Sequence, residues 1–321
     1  MKEFISIFKD KNILILGFGK EGISTYKAIR SFLPEIHISI ADKNKRASEL
    51  FSEQFNNDNN ITFTSGENYL NNIDKFDIII KSPGISFKEL DSKCCNAKVT
   101  SQTELFIQLF KDKIIGITGT KGKSTTASLL LQIIKTSGKD AVLVGNIGIP
   151  PFDHLQKISD ETTIVYEMSS HQLENIKVSP HISILLNIYQ EHLDHYESYN
   201  AYKEAKFNIC RWQTPDDYLI IDKNNEAIRN MPAEYFGKGQ VILLNNNSDK
   251  TSCSFCMDDD IYFIFNSQKT IFKEACLRRQ LRGKHNLVNI QSAAVASYLA
   301  GIPVDDILQT ISVFEGLPHR L

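Results

Sequence analysis

Short apolar runs alternate with amphipathic stretches along most of the chain. Residues 12–17 (NILILG), 35–42 (EIHISIAD), 61–66 (ITFTSG) and 76–84 (FDIIIKSPG) predict strands, and 21–32 carries its apolar residues at helical spacing. A second series starts at 113–119 (KIIGITG). It runs through a helix over 123–136, strands over 140–146, 162–170 and 181–187, a helix over 199–210 and a strand over 217–222. Strand–helix alternation of this kind predicts parallel sheets with helices on their faces. Near residue 240 the pattern changes: VILLNN, SCSFCM and IYFIFN follow closely, with no room for helices between them. They predict a small antiparallel sheet or an edge extension of the main one. Helices over 286–300 and, after Pro303, over 304–314 complete the pattern. The domain boundary is expected just before Lys113, with 1–111 and 112–318 as the two α/β domains.

Composition narrows the partners. With 42% hydrophobic and 23% charged residues the chain is globular rather than disordered, and a net charge of −2 gives no bulk attraction for nucleic acid. No apolar run approaches the roughly 20 residues that span a bilayer, and the acidic Glu3 and Asp10 spoil a signal peptide. The six cysteines do not form a disulfide framework, so a reduced, cytoplasmic protein that avoids membranes is expected, with a monomer as the default. Cys253-Ser254-Phe255-Cys256 has no second CxxC and no nearby histidine, so it predicts two incidental thiols on a strand rather than a zinc site.

Two glycine loops carry the candidate chemistry. Gly17-Phe18-Gly19-Lys20-Glu21-Gly22 follows a strand and opens a helix, and Asp42 ends the next strand. This is the pattern of a nucleotide-binding turn, in which the helix N-terminus faces phosphate and the carboxylate reaches a ribose or base. The second loop, Gly119-Thr120-Lys121-Gly122-Lys123-Ser124-Thr125, again joins strand to helix. Its first glycine lies three residues before Gly122 instead of five, yet the chemistry of a P-loop holds. Backbone N–H groups point at phosphate, Lys123 neutralises the β/γ-phosphates of ATP, and Ser124 is placed for Mg²⁺. Downstream, Glu167 ends one strand, His192 follows the next, and Lys206 lies on the helix after it. A carboxylate and an imidazole at neighbouring strand ends suggest Mg²⁺ ligation by Ser124, Glu167 and His192.

Seven motifs occur in order over residues 113–321: TGTKGKST, GNIG, EMSSHQLE, NIYQEHLDHY, YKEAKFNI, GKHNLVN and LPHRL. Together they resemble the Mur ligases, the ATP-dependent amino-acid ligases of peptidoglycan synthesis. GFGKEG with Asp42 and Ser82-Pro83-Gly84-Ile85 is similar to the uridine-binding domain of that family. The resemblance implies an N-terminal Rossmann-like domain and a central P-loop-type ATPase domain with a small antiparallel sheet. The E-x-S-S-x-Q-L-E run is most similar to the D-glutamate-adding members, which act on UDP-N-acetylmuramoyl-L-alanine through an acyl phosphate.

Carried over motif by motif, Lys123, Lys206 and His192 are the expected catalytic residues, Lys206 matching the lysine that is carbamylated in the family. Gly119, Thr120, Lys121, Gly122, Ser124, Thr125, Asn286, Asn289, His319 and Arg320 are expected around ATP. Gly19, Lys20, Asp42, Ser82, Pro83, Gly84, Asn146, Ser169 and Gln172 are expected around the UDP-sugar substrate. In the family the His-Arg pair leads into a third domain carrying the amino-acid site, and residues 319–321 are where such a linker starts. A chain without that domain is expected to fold and not to ligate. Other readings remain open on the residues alone: a diaminopimelate- or lysine-adding Mur ligase, a folate-type polyglutamate ligase, an NAD-dependent oxidoreductase built on the first loop, or a nucleotide-binding module without catalysis.

Overall fold

The computed structural model describes residues 1–55, 58–86, 90, 97–192, 194–246 and 252–317. The chain divides into two compact units, Met1–Leu109 with Pro150–Lys157, and Phe110–Ile149 with Ile158–Leu321. The first unit contains α1 (Lys2–Phe8), β1 (Ile13–Leu16), α2 (Lys20–Phe32), β2 (Ile38–Asp42), α3 (Ala47–Phe55), β3 (Ile61–Ser65), β4 (Ile78–Lys81), β5 (Lys98–Thr100) and most of α4 (Gln102–Phe110). Its strands form a parallel sheet in the order β3-β2-β1-β4-β5. β1 lies in the middle, buried along its whole length because ILIL offers an apolar side chain to both faces. Strand order reverses beside it, and the first glycine loop leaves its carboxyl end, where open α/β sheets leave a crevice.

Two features shape that loop. A Cβ on Gly22 would stand 2.1 Å from the Gly17 carbonyl oxygen, so the first turn of α2 packs directly on the loop backbone. Phe18 turns inward instead, its ring 5.4 Å from Phe51 and 5.6 Å from Phe63, in an aromatic cluster that also holds Tyr26 and Phe55. The segment 150–157, which the strand–helix pattern leaves with the second series, contributes Phe152, whose ring stands 5.3 Å from Phe4 and 6.5 Å from Phe106.

The second unit contains β6 (Ile114–Thr118), α5 (Lys123–Thr136), β7 (Ala141–Gly145), β8 (Thr163–Glu167), α6 (Ser170–Leu173), β9 (Ile182–Leu185), α7 (Tyr199–Arg211) and β10 (Tyr218–Asp222). There follow α8 (Glu226–Arg229), β11 (Gln240–Leu244), β12 (Cys253–Met257), β13 (Asp260–Phe265), β14 (Gln268–Phe272), α9 (Ala275–Arg278), α10 (Lys284–Leu299) and α11 (Val304–Val313). Among the described residues they form one sheet in the order β14-β13-β12-β11-β10-β9-β6-β8-β7. β11 and β12 continue the parallel run, and only β12-β13-β14 is an antiparallel meander. The late strand-rich stretch is thus an edge extension of the main sheet. β6 sits between β9 and β8, so the loop after it, Glu167 and the segment after β9 emerge on one edge. α10 is buried around most of its circumference, with Ala293–Ala296 fully covered and Gln291, Ser292 and Ser297 enclosed beside them. Among the described residues no helix is long and apolar enough to cross a membrane.

Gly22→Ala places a methyl group against backbone that cannot swing aside. It should lower the unfolding free energy by about 1–3 kcal/mol, the usual cost of overpacking. Urea unfolding checks this: the midpoint falls with little change in slope.

Candidate active site

The second glycine loop is held from the side. The Asn187 side chain accepts from the Lys121 N–H at 2.8 Å and donates to the Lys121 carbonyl at 2.9 Å, and the Asn187 carbonyl accepts from the Thr120 N–H at 2.8 Å. Thr120 Oγ1 accepts from the Tyr189 N–H at 2.9 Å and lies 3.0 Å from the Tyr202 hydroxyl. Gly122, at φ +87°, is the N-cap of α5, and a Cβ there would stand 2.4 Å from Asn289 Oδ1. Glycine is therefore required twice over, by dihedral and by space. No side chain caps α5, which leaves the positive end of a 14-residue helix dipole facing the loop.

A cavity of about 640 Å³ opens beside this helix start. Lys121, Gly122, Ser124, Thr125, Asn286 and Asn289, all expected around ATP, line it. Asn289 donates to Asn286 Oδ1 at 2.9 Å, and Asn286 donates to the Arg282 carbonyl at 2.7 Å. Leu281, Arg282 and His285 also line the cavity and were missed, although His285 stands inside the GKHNLVN motif and was legible there. Asn187 likewise stands inside a motif, NIYQEHLDHY. His319 and Arg320 lie outside the described residues.

Two lysines converge on the loop. Lys123 Nζ donates to the carbonyls of Gly119 and Thr120 at 2.8 and 3.0 Å, and Lys206 Nζ donates to the same Gly119 carbonyl at 2.9 Å. Lys206 is 2% exposed, its amine 4.9 Å from the centre of the Tyr202 ring. Burial, and after it the Lys123 cation, lowers the Lys206 amine to about 7, with Glu191 and Glu167 opposing.

Glu167 is fully buried at the end of β8. Its Oε1 accepts from the Asn146 side chain at 2.8 Å, the Asn146 N–H donates to the Glu167 carbonyl at 2.9 Å, and its Oε2 has no partner. Among the described residues no three His, Cys, Asp or Glu side chains gather as a metal cage. A buried carboxylate with one unsatisfied oxygen, close enough to act on the Lys206 amine at the phosphate-type loop, suits Mg²⁺, which takes one or two protein oxygens and fills its shell with phosphate and water. Among the described residues no hydrogen bond or ion pair joins His192 to Glu167; the ion-pair partner of His192 is Glu191 at 4.0 Å. His192 is half exposed at φ +58°, its ring 5.3 Å from His171 and 6.0 Å from Tyr202.

The remaining expected contacts are partly engaged already. Ser169 and Gln172 form a capping box on α6: the Ser169 N–H donates to Gln172 Oε1 at 2.9 Å and the Gln172 N–H to Ser169 Oγ at 3.2 Å. In the first unit Asp42 accepts from the Phe18 N–H at 2.6 Å and the Asn44 N–H at 2.7 Å, so this carboxylate braces the glycine loop. The Ser82 hydroxyl donates to the Gly17 carbonyl at 2.9 Å. Gly19 and Lys20, at the start of α2, and Gly84 are exposed, and Pro83 is half-buried.

Residues 117–297 match the family model described as the Mur ligase middle domain. The chain is 32% identical over 325 residues to the UDP-N-acetylmuramoylalanine–D-glutamate ligase of Lactococcus lactis subsp. lactis (strain IL1403), covering 99% of this chain and 69% of that protein. It is 31% identical over 329 residues to the enzyme of the same name from Acetivibrio thermocellus, covering 100% and 68%. Among solved structures it is similar to the UDP-N-acetylmuramate:L-alanyl-gamma-D-glutamyl-meso-diaminopimelate ligase of Neisseria meningitides, with TM-score 0.58, 14% identity and coverage of 96% and 99%. It is also similar to MurF from Acinetobacter baumannii, with TM-score 0.55, 17% identity and coverage of 96% and 64%. At those identities the structural likeness speaks for the fold alone.

The lowered Lys206 amine has a consequence for stability. Between about 7 and its ordinary 10.5 the unfolded chain holds a proton that the folded chain has released. Its contribution to stability therefore rises with pH across that window, and its penalty is complete below it. Lys206→Met should flatten this rise. Denaturation midpoints at pH 7 and pH 9.5 for both proteins check it, and an unchanged difference between the two pH values would remove the burial argument.

Proposed function

The chain belongs to the Mur ligases, and on that premise we propose that it adds D-glutamate to UDP-N-acetylmuramoyl-L-alanine with cleavage of ATP to ADP and phosphate. The observation that carries the reading is the pair of lysine amines on the Gly119 carbonyl, beside a buried carboxylate with an unpartnered oxygen. Such a site has positive charge ready for phosphate oxygens and a fixed anion ready for a divalent cation. The named relatives, at about one-third identity over nearly the whole chain, support D-glutamate as the incoming amine.

In this reading the α5 N-terminus and Lys123 hold the β/γ-phosphates, and Asn286, Asn289 and the cavity beside them take the rest of the nucleotide. Ser124 and Glu167 hold Mg²⁺, with His192 as a further candidate ligand. When bound, the ion neutralises phosphate charge as the substrate carboxylate attacks the γ-phosphorus. Asn146 orients Glu167 through its side-chain hydrogen bond. The acyl phosphate that forms is then attacked by the D-glutamate amine, and phosphate leaves.

Lys206 is the carbamylation candidate. Addition of CO₂ needs the neutral amine, and an amine lowered to about 7 supplies it near neutral pH. The neutral amine loses one proton as the N–C bond to CO₂ forms, and the side chain becomes an anionic carbamate next to Lys123. Asn146, Ser169 and Gln172 are the candidate contacts for the muramoyl-peptide end. The first glycine loop, with Gly19, Lys20 and Ser82–Gly84, is the candidate uridine diphosphate site. We place the protein in the cytoplasm as a monomer, where both nucleotide substrates are found.

Isothermal calorimetry tests the substrate assignment: UDP-N-acetylmuramoyl-L-alanine and MgATP should each bind, and NAD should not. Binding of NAD without the UDP-sugar would overturn the ligase reading. In ligation assays of a chain that also carries the family's amino-acid domain, Lys123→Ala and Lys206→Ala should each lower substrate-dependent ADP release by about 100-fold or more, the scale of losing one electrostatic contact in the transition state. Added bicarbonate should not rescue Lys206→Ala, and near-normal turnover in that variant would remove its assigned role.

A further inference from the structure

β4 consists of three isoleucines and then Lys81, which is only 2% exposed. Side chains alternate along a strand, so Ile79 and Lys81 leave the same face. Their register partners on β1 are Leu14 and Leu16, and with Tyr69 these residues belong to one apolar cluster, against which Ile85 also packs. An amine closed off from water on such a face loses its hydration and needs acceptors from the protein. Lys81 finds them in the backbone just ahead. Its Nζ donates to the Ile85 carbonyl at 2.7 Å and to the Ser82 carbonyl at 3.3 Å. Among the described residues the Ile85 carbonyl has no other donor. The Ser82 carbonyl also accepts from the Ile85 N–H at 3.2 Å, so the amine closes a turn over residues 82–85 from its inner side.

That turn is packed on the first glycine loop. The Ser82 N–H donates to the Leu16 carbonyl at 2.8 Å, and the Ser82 hydroxyl donates to the Gly17 carbonyl at 2.9 Å. Gly17 stands at φ +89°, and a Cβ there would lie 2.8 Å from Ser82 Cβ and 3.0 Å from Ile85 Cδ1. Loop and turn therefore meet with no room for a side chain between them, and the position of the turn fixes the position of the loop backbone. The outer side of the turn carries the half-buried Pro83 and the exposed Gly84. Lys81 stands behind it, sealed from a ligand on that outer side.

We propose that Lys81 is a positioning residue for the uridine diphosphate site: its amine holds residues 82–85 closed against the first glycine loop, so that both walls are in place before the nucleotide arrives. Pro83 and Gly84 add little apolar contact of their own to hold the turn. Without the amine, the Ile85 carbonyl is left without a donor beside an apolar cluster or has to turn toward water. The turn then samples more states, and ordering it becomes a cost of binding. The identity of the ligand rests on the uridine diphosphate reading above. The restraint on the turn rests on the hydrogen bonds alone.

Calorimetry with UDP, on the whole chain, tests the proposal. Lys81→Met keeps the apolar bulk of the side chain and removes its donors. It should weaken UDP binding about tenfold, the weight of one to two hydrogen bonds, and leave MgATP affinity unchanged. Lys81→Gln, which keeps a donor, should recover part of the loss, and it carries the comparison with wild type if Lys81→Met does not fold. Hydrogen exchange at the Ile85 amide should be faster in either variant, while the amides of β1 keep their rates. A lysine that only stabilised the unit as a whole would change both sets of amides together. UDP affinity within about twofold of wild type in both folded variants, or equal losses for UDP and MgATP, would overturn the role. Absence of UDP binding in the wild-type chain would overturn the uridine diphosphate reading and with it the effect on affinity, and the Ile85 exchange rate would still decide whether the amine holds the turn.

Discussion

Two lysine amines share one backbone carbonyl. Lys123 and Lys206 both donate to the Gly119 oxygen, and the second does so from a position almost closed to water. A pair of ammonium groups that close in a poorly solvated place repel each other and both lose hydration. The protein meets this constraint in two ways: it lowers the proton affinity of the more buried amine, and it holds the acidic Glu167 and Glu191 near enough to oppose that shift. The rest of the second unit is arranged around this charge. The loop is fixed by Asn187 so that its carbonyls stay turned to the lysines, and Tyr202 lies under the Lys206 amine while its hydroxyl meets Thr120.

Much of this was legible in the sequence, for a reason that differs between elements. The parallel strands were visible because burial on both faces demands unbroken apolar runs such as ILIL and IIGIT, and the glycines between strand and helix mark turns that few other residues can make. The meander β12-β13-β14 was readable as strand but not as to its partner. Pairing partner depends on what lies beside β11 in space, which periodicity does not encode. α1 and α4 were overlooked because QTELFIQLF and KEFISIF are short and carry aromatic residues that suit a strand as well as a helix. The segment 150–157 was unreadable for a deeper reason, since its single anchor, Phe152, finds its partners far away in sequence at Phe4 and Phe106.

For the candidate site, residue type and order single out Lys123, Ser124, Glu167 and Lys206 and the family resemblance adds Asn286 and Asn289; the structure gathers Ser124, Asn286 and Asn289 on one cavity and both lysines on the Gly119 carbonyl. What the chain alone does not reveal is which polar groups are already spoken for. Asp42 and Ser82 are occupied in bracing the first glycine loop, and Ser169 and Gln172 satisfy each other at the start of α6. Asn146 reads as a group facing ligand, and the structure adds a hydrogen bond from its side chain to Glu167 that its sequence position does not reveal. The CxxC of β12 shows the converse: its spacing suggests a pair, while the alternation of the strand sends the two cysteines to opposite faces.

The excursion of residues 150–157 bears on how such a protein can be divided or recombined. Because the chain leaves the second unit after Ile149 and rejoins it at Ile158, the two units are joined by three covalent crossings instead of one. A single cut near residue 110 does not yield two self-contained pieces: the downstream part would keep Phe152 without Phe4 or Phe106 to cover it. Exchange of the first unit for another by one recombination event would leave the same ring exposed. The two units are distinct as packed bodies and inseparable as genetic ones, so any new first unit has to arrive with a matching loop between β7 and β8.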